Sequence, residues 1–452
     1  MDQHLDDFLL SVELDKALEN DLLNGDVDDD TDIEISPQYP ENLTNLLQQA
    51  ILDRATDVHI DPFGDKMAIR FRIDGIVHTK QKLAMAEGQR LLNQVKVAAK
   101  IDIEKHFVPV ESQMRWLTEM GARDIRIVIT PAGQRDAAHM RFMTTPEQFT
   151  SPESLGFSDQ QQQQIRNAMK AQHGLVLVSG STGAGKSSSL YALASMLELE
   201  KKIGVSIEDP IEHDMDHLRQ IQVDEDHGLT MYEGLRVVLR MDPDVIIVGE
   251  IRDEHSAMIA ARAAMAGRLV IATLHSTDSA SAVETMHYLG VPYYVLGSTL
   301  RMIISQSLVR KLCMNCSTGR KLTQQETELF EHYNMAVPDQ VYNSVGCNEC
   351  GGYGHTDRLG VFEIATIGKD VSKMITHGTS HELIRDTFRS NGVKPVIVDA
   401  LSKAAMGMAS MEEVYQACWL DIAAIEEDKL QKNSDSDLVY NDSYTEELEY
   451  TD

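Results

Sequence analysis

No run of eighteen apolar residues occurs in the 452-residue chain, so nothing in it reads as a bilayer-spanning helix. The N-terminus, "MDQHLDDFLL", is acidic and lacks the basic stretch of an export signal. Cysteine is scarce: five in so long a chain argue against a disulfide framework and for a cytosolic compartment. Positive charge is in deficit too. Lys and Arg number 41 against 71 Asp and Glu, a net charge of −30. A protein that tracks nucleic acid wants a basic stripe to neutralise phosphate, so no direct nucleic-acid partner is expected.

The acidity is concentrated at the two ends. Residues 1–41 carry 14 carboxylates and one lysine, and residues 426–452 carry ten carboxylates and two lysines, which leaves the long body only mildly acidic. Stretches such as "NGDVDDDTDIEISP" bury too little apolar surface to order themselves. Residues 1–42 are therefore expected to be a disordered or partner-docking segment, and 426–452 a disordered tail. Leu5, Phe8, Leu9, Val12 and Leu22 leave room for a short amphipathic helix in the first of these.

The body is long enough for two or three domains. In "LTNLLQQAILDRA" the apolar residues recur at helical spacing, and "DVHIDPFGDKMAIRFRIDGIVHTK" alternates like two strands around a Pro-Phe-Gly turn. A helix-like "GQRLLNQVKVAAKI" and strand-like "DIRIVIT" and "AAHMRFM" complete a small α+β unit over 43–145. Residues 146–157 read as a linker, after which Ser158 can cap a helix. Strand-sized runs "LVLVS", "GVSIED", "DVIIVGE" and "LVIATLH" then alternate with helical ones over 158–295, the pattern of a parallel sheet flanked by helices. Residues 296–425 read as mostly helical.

Between "LVLVS" and the helix-like "SSSLYALASML" lies "SGSTGAGKSSSL", which fits G-x-x-x-x-G-K-[ST] at Gly180, Gly185, Lys186 and Ser187. Gly180, Ser181, Thr182, Gly183, Ala184, Gly185, Lys186, Ser187 and Ser188 are candidate nucleotide-binding residues. Consecutive backbone N–H groups make a concave anion nest, and the helix opening at Lys186 adds its positive end. Lys186 neutralises β/γ-phosphate charge, and the Ser187 hydroxyl can ligate Mg²⁺. ATP and Mg²⁺ are the ligands this implies.

Hydrolysis needs one acidic group to hold Mg²⁺ and another to orient or deprotonate the attacking water. "SIEDPIEHD" ends one strand with Glu208, Asp209 and Glu212, and "DPDVIIVGEIRD" ends another with Glu250. In a parallel sheet these ends converge on the edge that holds the phosphate loop. "LVIATLHS" brings His275 to the same edge, where it can feel the γ-phosphate. An acidic residue at a strand end is otherwise a cap or turn former. Glu208, Glu250, Lys186 and His275 are the candidate catalytic residues.

Four of the five cysteines form two knuckles, Cys313-x₂-Cys316 and Cys347-x₂-Cys350, thirty residues apart. Two thiolates on each of two small turns suit a closed tetrahedral Zn²⁺ site, whereas a redox pair needs only one knuckle. Cys418 lies in a helical pattern and reads as a small core residue.

Residues from about 43 to 425 resemble the ATPases that power type II secretion and type IV pilus assembly. The likeness rests on "SIEDPIEHD", on "GLRVVLRMDPDVIIVGEIRDEHSAMIAARAAMAGRLVIATLHSTDSA", and on "SLVRKLCMNC" followed by "GCNECGGYGHTDRLGVFEI". It implies an α/β fold: a RecA-like P-loop ATPase core, an N-terminal PAS-like α+β domain and a mostly helical, zinc-containing C-terminal region. It also implies a homo-hexameric motor, cytoplasmic and attached peripherally to the inner membrane through a platform protein that receives pilin-like subunits. By position, Glu208 matches the glutamate that prepares the attacking water, Glu250 the Walker B glutamate that supports Mg²⁺, and His275 the second His-box histidine. Arg126 and Arg141 match arginines that reach nucleotide phosphate from the N-terminal domain; plain strand-surface arginines are the alternative. Arg236 and Arg240, one helical turn apart, can face a phosphate or a neighbouring subunit.

Three features depart from the pattern. Arg268 stands where the first His-box histidine is usual, which leaves charge sensing open there. About forty acidic residues precede the PAS-like unit, where many members carry a whole further domain. The acidic C-terminus matches no family motif. A retraction motor of the same superfamily is the near alternative, although such motors lack the four cysteines. A weakly hydrolysing nucleotide-dependent adaptor is a second, and a nucleic-acid translocase a third that the charge disfavours.

Overall fold

The computed structural model describes residues 39–104, 108–118, 121–143, 151–419, 421–423 and 425. The expectations for the acidic segment before Tyr39, for the tail from 426 and for linker residues 146–150 lie outside the described residues.

The N-terminal unit is built from α1 (Glu41–Leu52), β1 (Ala55–Phe63), β2 (Lys66–Ile73), β3 (Ile76–Ala84), α2 (Met85–Ala98), β4 (Val110–Thr118), β5 (Gly121–Ala132) and β6 (Arg135–Phe142). Its strands form one antiparallel sheet in the order β3-β2-β1-β6-β5-β4. Strand alternation makes one face apolar: Val58, Ile60, Phe71, Ile125, Ile127 and Met140 are buried, and α2 packs on β1, β2 and β3 with Leu91, Leu92 and Val95. The opposite face carries charge, with Asp57 paired to Arg141 and His59 to His139 across β1 and β6. The alternating segment predicts two strands here, and the structure has three. Asp74 and Gly75 both take positive φ (49° and 87°), closing a second tight hairpin of the Asp-Gly kind.

Next come α3 (Asp159–Met169), β7 (Gly174–Ser179), α4 (Lys186–Ser195), β8 (Gly204–Glu208), β9 (Leu218–Gln222), α5 (Met231–Val238), β10 (Val245–Val248), α6 (Glu254–Met265), β11 (Leu269–Leu274), α7 (Ser279–Tyr288) and α8 (Tyr293–Thr299). Ser158 caps α3 as its sequence predicts, accepting from Gln161 N at 3.3 Å. Beyond α8 lie β12 (Leu300–Leu312), β13 (Thr318–Arg320), α9 (Gln324–His332), β14 (Val341–Asn343), β15 (His355–Thr366), α10 (Lys369–Thr376), α11 (His381–Ser390), α12 (Val396–Ala405) and α13 (Met411–Ala417).

The central sheet has the order β15-β12-β7-β11-β10-β8-β9. β12, β7, β11, β10, β8 and β9 run parallel, and β15 closes the edge antiparallel to β12. Both faces are covered, which accounts for the continuous apolar runs. Leu175, Leu177, Val270 and Ala272 face one core, and Val176, Val178, Leu269 and Ile271 the other. Besides the expected helices, residues 296–425 supply two long strands to this sheet. In β12 the buried Ser305 and Gln306 break the apolar run that would have announced a strand. Linker residues 151–157 pack on β15: Gly360 N donates to Leu155 O at 3.0 Å, and the rings of Phe157 and Phe362 stack at 3.7 Å. Among the described residues no helix is long and apolar enough to cross a membrane.

Candidate functional site

β7, β8, β10 and β11 are in register, Val248 beside both Ile207 and Ala272, and Leu274 beside Ser179. Their C-terminal ends therefore share one edge, and the phosphate loop opens there. Gly180 has φ 154°, and a Cβ at that position would lie 2.4 Å from the Gln306 carbonyl oxygen, so only glycine fits. Gln306 Nε2 also donates to Ala184 O at 2.6 Å, bracing the loop from β12. Nothing in the sequence pattern marks Gln306 for this.

Lys186 opens α4. Its Nζ donates to Gly180 O at 3.0 Å and Ser181 O at 3.2 Å, and it reaches His275 Nδ1 at 3.2 Å. Glu250 Oε1 stands 4.0 Å from Lys186 Nζ and 2.5 Å from His275 Nε2. The Nε2–H donates to the carboxylate, and Nδ1 lies 3.2 Å from both the Lys186 ammonium and Gly180 O. Burial pulls the Lys186 ammonium below its ordinary pKa, with Glu250 opposing. Sequence reasoning places these three together, and they meet. It passes over Arg252, whose Nε binds Glu250 and whose Nη1 lies 3.5 Å from Asp209 Oδ2, tying the two acidic strand ends together. Its place two residues after Glu250 was the available signal.

The two glutamates of "SIEDPIEHD" separate. Glu208 is 3% exposed. It accepts from Tyr191 Oη, from Ser206 Oγ at 2.5 Å and from Gln220 Nε2 at 3.1 Å. A sealed carboxylate with three donors is held in place by its neighbours and has little access to water. Glu212 sits at an exposed cleft mouth with protein crowding it on most sides. That desolvation raises its pKa, and the nearby Ser187 hydroxyl works the other way. Glu212, quoted in the motif but not singled out, is thus the carboxylate beside the P-loop hydroxyl.

The cleft measures about 100 Å³ and is lined by Gln113, Arg126 and Met143 of the N-terminal unit and by Pro210, Ile211 and Glu212 of the core. Arg126 pairs with Glu111 in its wall. Arg141 Nε donates to Asp57 Oδ1 at 2.9 Å, and its charge acts on Glu212. Burial alone would raise the Asp57 pKa, but bonds from His139, Arg141 and Thr56 hold it well below the carboxylate range. Arg126 thus borders the Glu212 loop, and Arg141 lies within electrostatic reach of Glu212. Arg236 instead pairs with Glu233 on its own helix, and Arg240 is exposed just beyond the end of α5. Arg268 precedes β11 at the opposite end of the sheet, its Nη1 on Ala266 O at 3.0 Å, so it takes no part at the phosphate edge.

Cys313, Cys316, Cys347 and Cys350 converge, all four Sγ atoms within 4.8 Å of one another. The pairs Cys313–Cys347 and Cys316–Cys350 stand at 3.9 Å, and Cys347–Cys350 at 3.8 Å. These spacings are too long for disulfides and match the edge of about 3.8 Å of a tetrahedron with metal–sulfur bonds of about 2.3 Å. Backbone N–H groups of Gly346, Cys347 and Gly354 point at the sulfurs from 3.3, 3.2 and 3.1 Å. Cys418 is buried in the C-terminal core, as its helical pattern predicts.

The family model described as "Type II/IV secretion system protein" matches residues 36–416. The chain is 33% identical over 412 residues to the type II secretion system protein E of Aeromonas hydrophila, covering 91% of this chain and 80% of that one. It is 30% identical over 373 residues to the type IV pilus assembly ATPase TfpB of Acinetobacter baylyi, covering 82% and 64%. Among solved structures, the Legionella pneumophila ATPase DotB has a TM-score of 0.62 at 19% identity over 87% of this chain and 100% of that chain. The pilus retraction motor PilT has a TM-score of 0.54 at 22% identity over 82% and 95%. These two show a common fold.

Proposed function

The chain belongs to the Type II/IV secretion system protein family, whose curated members include ATPases of secretion and pilus assembly, and from this premise we propose a hexameric motor. It hydrolyses ATP, and the work drives assembly of a pilus or pseudopilus through an inner-membrane platform protein. The motor is cytoplasmic and held at the membrane by that partner. Lys186 carries this reading, because it is held at one edge with Glu250 and His275 while Glu212 faces Ser187.

Lys186 and the loop N–H groups neutralise phosphate charge. Ser187 and Glu250 are the residues to hold Mg²⁺, which supplies further charge neutralisation at the phosphates when bound. Glu212 is placed to orient and deprotonate the attacking water, and Glu208 supports it from behind. His275 links the loop lysine to Glu250 and so reports on the γ-phosphate. Arg126 and Arg141 close on nucleotide from the N-terminal unit as bidentate clamps. The four cysteines hold a structural Zn²⁺, a feature that favours an assembly motor over a retraction motor. Lys186→Ala abolishes Mg²⁺-dependent ATPase activity while the chain stays folded, and light scattering with a non-hydrolysable analogue gives six copies. Wild-type turnover in that variant, or a monomer throughout the micromolar range, overturns the proposal.

A further inference from the structure

We propose that Tyr191 is a positioning residue that ties the phosphate-loop helix to the loop carrying Glu212, so that the two keep one fixed geometry through turnover. The inference rests on Glu212 as the water-activating carboxylate. Tyr191 lies on α4 four residues after Ser187, one turn along the same helix face. It is 4% exposed. Its hydroxyl donates to Glu208 and accepts from Glu212 N at 3.2 Å and His213 N at 3.4 Å. A phenol has one proton and two lone pairs to offer, and all three are spent on this one segment.

From the other side, Gln220 of β9 donates to Glu208 Oε1 at 3.1 Å and His213 O at 2.7 Å, and accepts from Met215 N at 2.7 Å. Gln220 fixes the loop to the sheet, and Tyr191 fixes it to the helix that begins with Lys186 and Ser187. Burial and the neighbouring Glu208 carboxylate push the phenol far above its ordinary pKa, so it remains a proton donor across the working range. Any buried phenol needs partners; what sets this one apart is that all of them lie in residues 208–213. Here the hydroxyl spans the phosphate side and the water-activating side of one site. A displacement of about 1 Å between such groups costs on the order of 100-fold in rate.

The test uses the full chain with Tyr191→Phe, Glu212→Gln, their double variant and Glu208→Gln. kcat, KM for Mg²⁺-ATP, the nucleotide-binding fraction and the melting temperature are measured for each. Tyr191→Phe keeps the ring and is expected to lower kcat at least about tenfold per binding-competent molecule with KM within about twofold. The double variant is no slower than the slower single one, because both substitutions disable the same step. A kcat within about twofold of wild type, or losses that multiply in the double variant, overturns the positioning role. Undiminished turnover in Glu212→Gln with a large loss in Glu208→Gln instead overturns the premise about Glu212.

Discussion

His275 stands between the lysine of the phosphate loop and the acidic end of β10, its Nδ1 3.2 Å from Lys186 Nζ and its Nε2 2.5 Å from Glu250 Oε1. One imidazole thus fixes the separation of the two groups proposed to share phosphate and metal charge. His275→Ala is expected to retain nucleotide affinity within a few-fold and to lose about ten- to 100-fold in kcat, since the removed contacts organise charge and do not bind the base or sugar. Steady-state ATPase rates beside equilibrium binding decide it. Wild-type kcat would remove His275 from the mechanism.

The two motif glutamates should fail differently. Glu208→Gln turns an amide N–H₂ toward a buried set of donors, at a cost of about 1–3 kcal/mol of stability. Glu212 lies at the cleft mouth, so Glu212→Gln should leave the melting temperature nearly unchanged and cut turnover about 100-fold or more. Thermal melts paired with ATPase rates separate these outcomes. A stable Glu208→Gln that is inactive beside an active Glu212→Gln would restore the roles that sequence position alone suggests.

The acid side of the pH profile follows from the same residue. Crowding at the cleft raises the Glu212 pKa, while the Ser187 hydroxyl and the positive charge of Arg141 lower it. As the proposed proton acceptor, Glu212 must be ionised to work, so kcat is expected to fall as pH drops through that raised pKa. Arg141→Ala withdraws a charge that favours the ionised form, so the pKa rises further and the acid limb moves to higher pH. A limb that stays put or moves down would show that Arg141 does not act on Glu212.

Much of the phosphate site was legible because its signals are local: a glycine loop between strand and helix, and acidic residues at strand ends. What was not legible depended on tertiary burial. Glu208 and Glu212 are four residues apart in one motif, and only the packing of Tyr191, Ser206 and Gln220 decides which of them is sealed. Arg268 and His275 flank the six residues of β11; at about 3.3 Å per residue that puts them about 23 Å apart, so counting along the strand would have removed Arg268 from the phosphate edge. The Asp74-Gly75 hairpin was readable in the same way. β12 was not, because its buried Ser305 takes its hydroxyl partner from Ser179 of β7, a pairing no local pattern reveals.

The cysteine cluster carries a consequence beyond its own fold. The second knuckle runs from Cys347 and Cys350 directly to Tyr353 and His355, and both of these meet the N-terminal unit. Lys80 Nζ donates to Tyr353 Oη at 2.6 Å, the rings of His78 and Tyr353 lie 4.8 Å apart, and Arg54 Nη2 donates to His355 O at 3.1 Å. Each contact is modest alone, and together they depend on a turn that the proposed thiolate ligation would hold in place. Elemental analysis is expected to give about one Zn²⁺ per chain. Removing it with a chelator, or by Cys347→Ser, should lower the melting temperature and speed amide exchange in β3 and in the turn at Arg54 as well as around the knuckles. The strand edge at Lys186 is held by other contacts, so nucleotide affinity should change little at temperatures where the core remains folded. Protein purified metal-replete but free of zinc would refute the site. Faster exchange confined to residues 313–354 would show that the knuckle stabilises only itself.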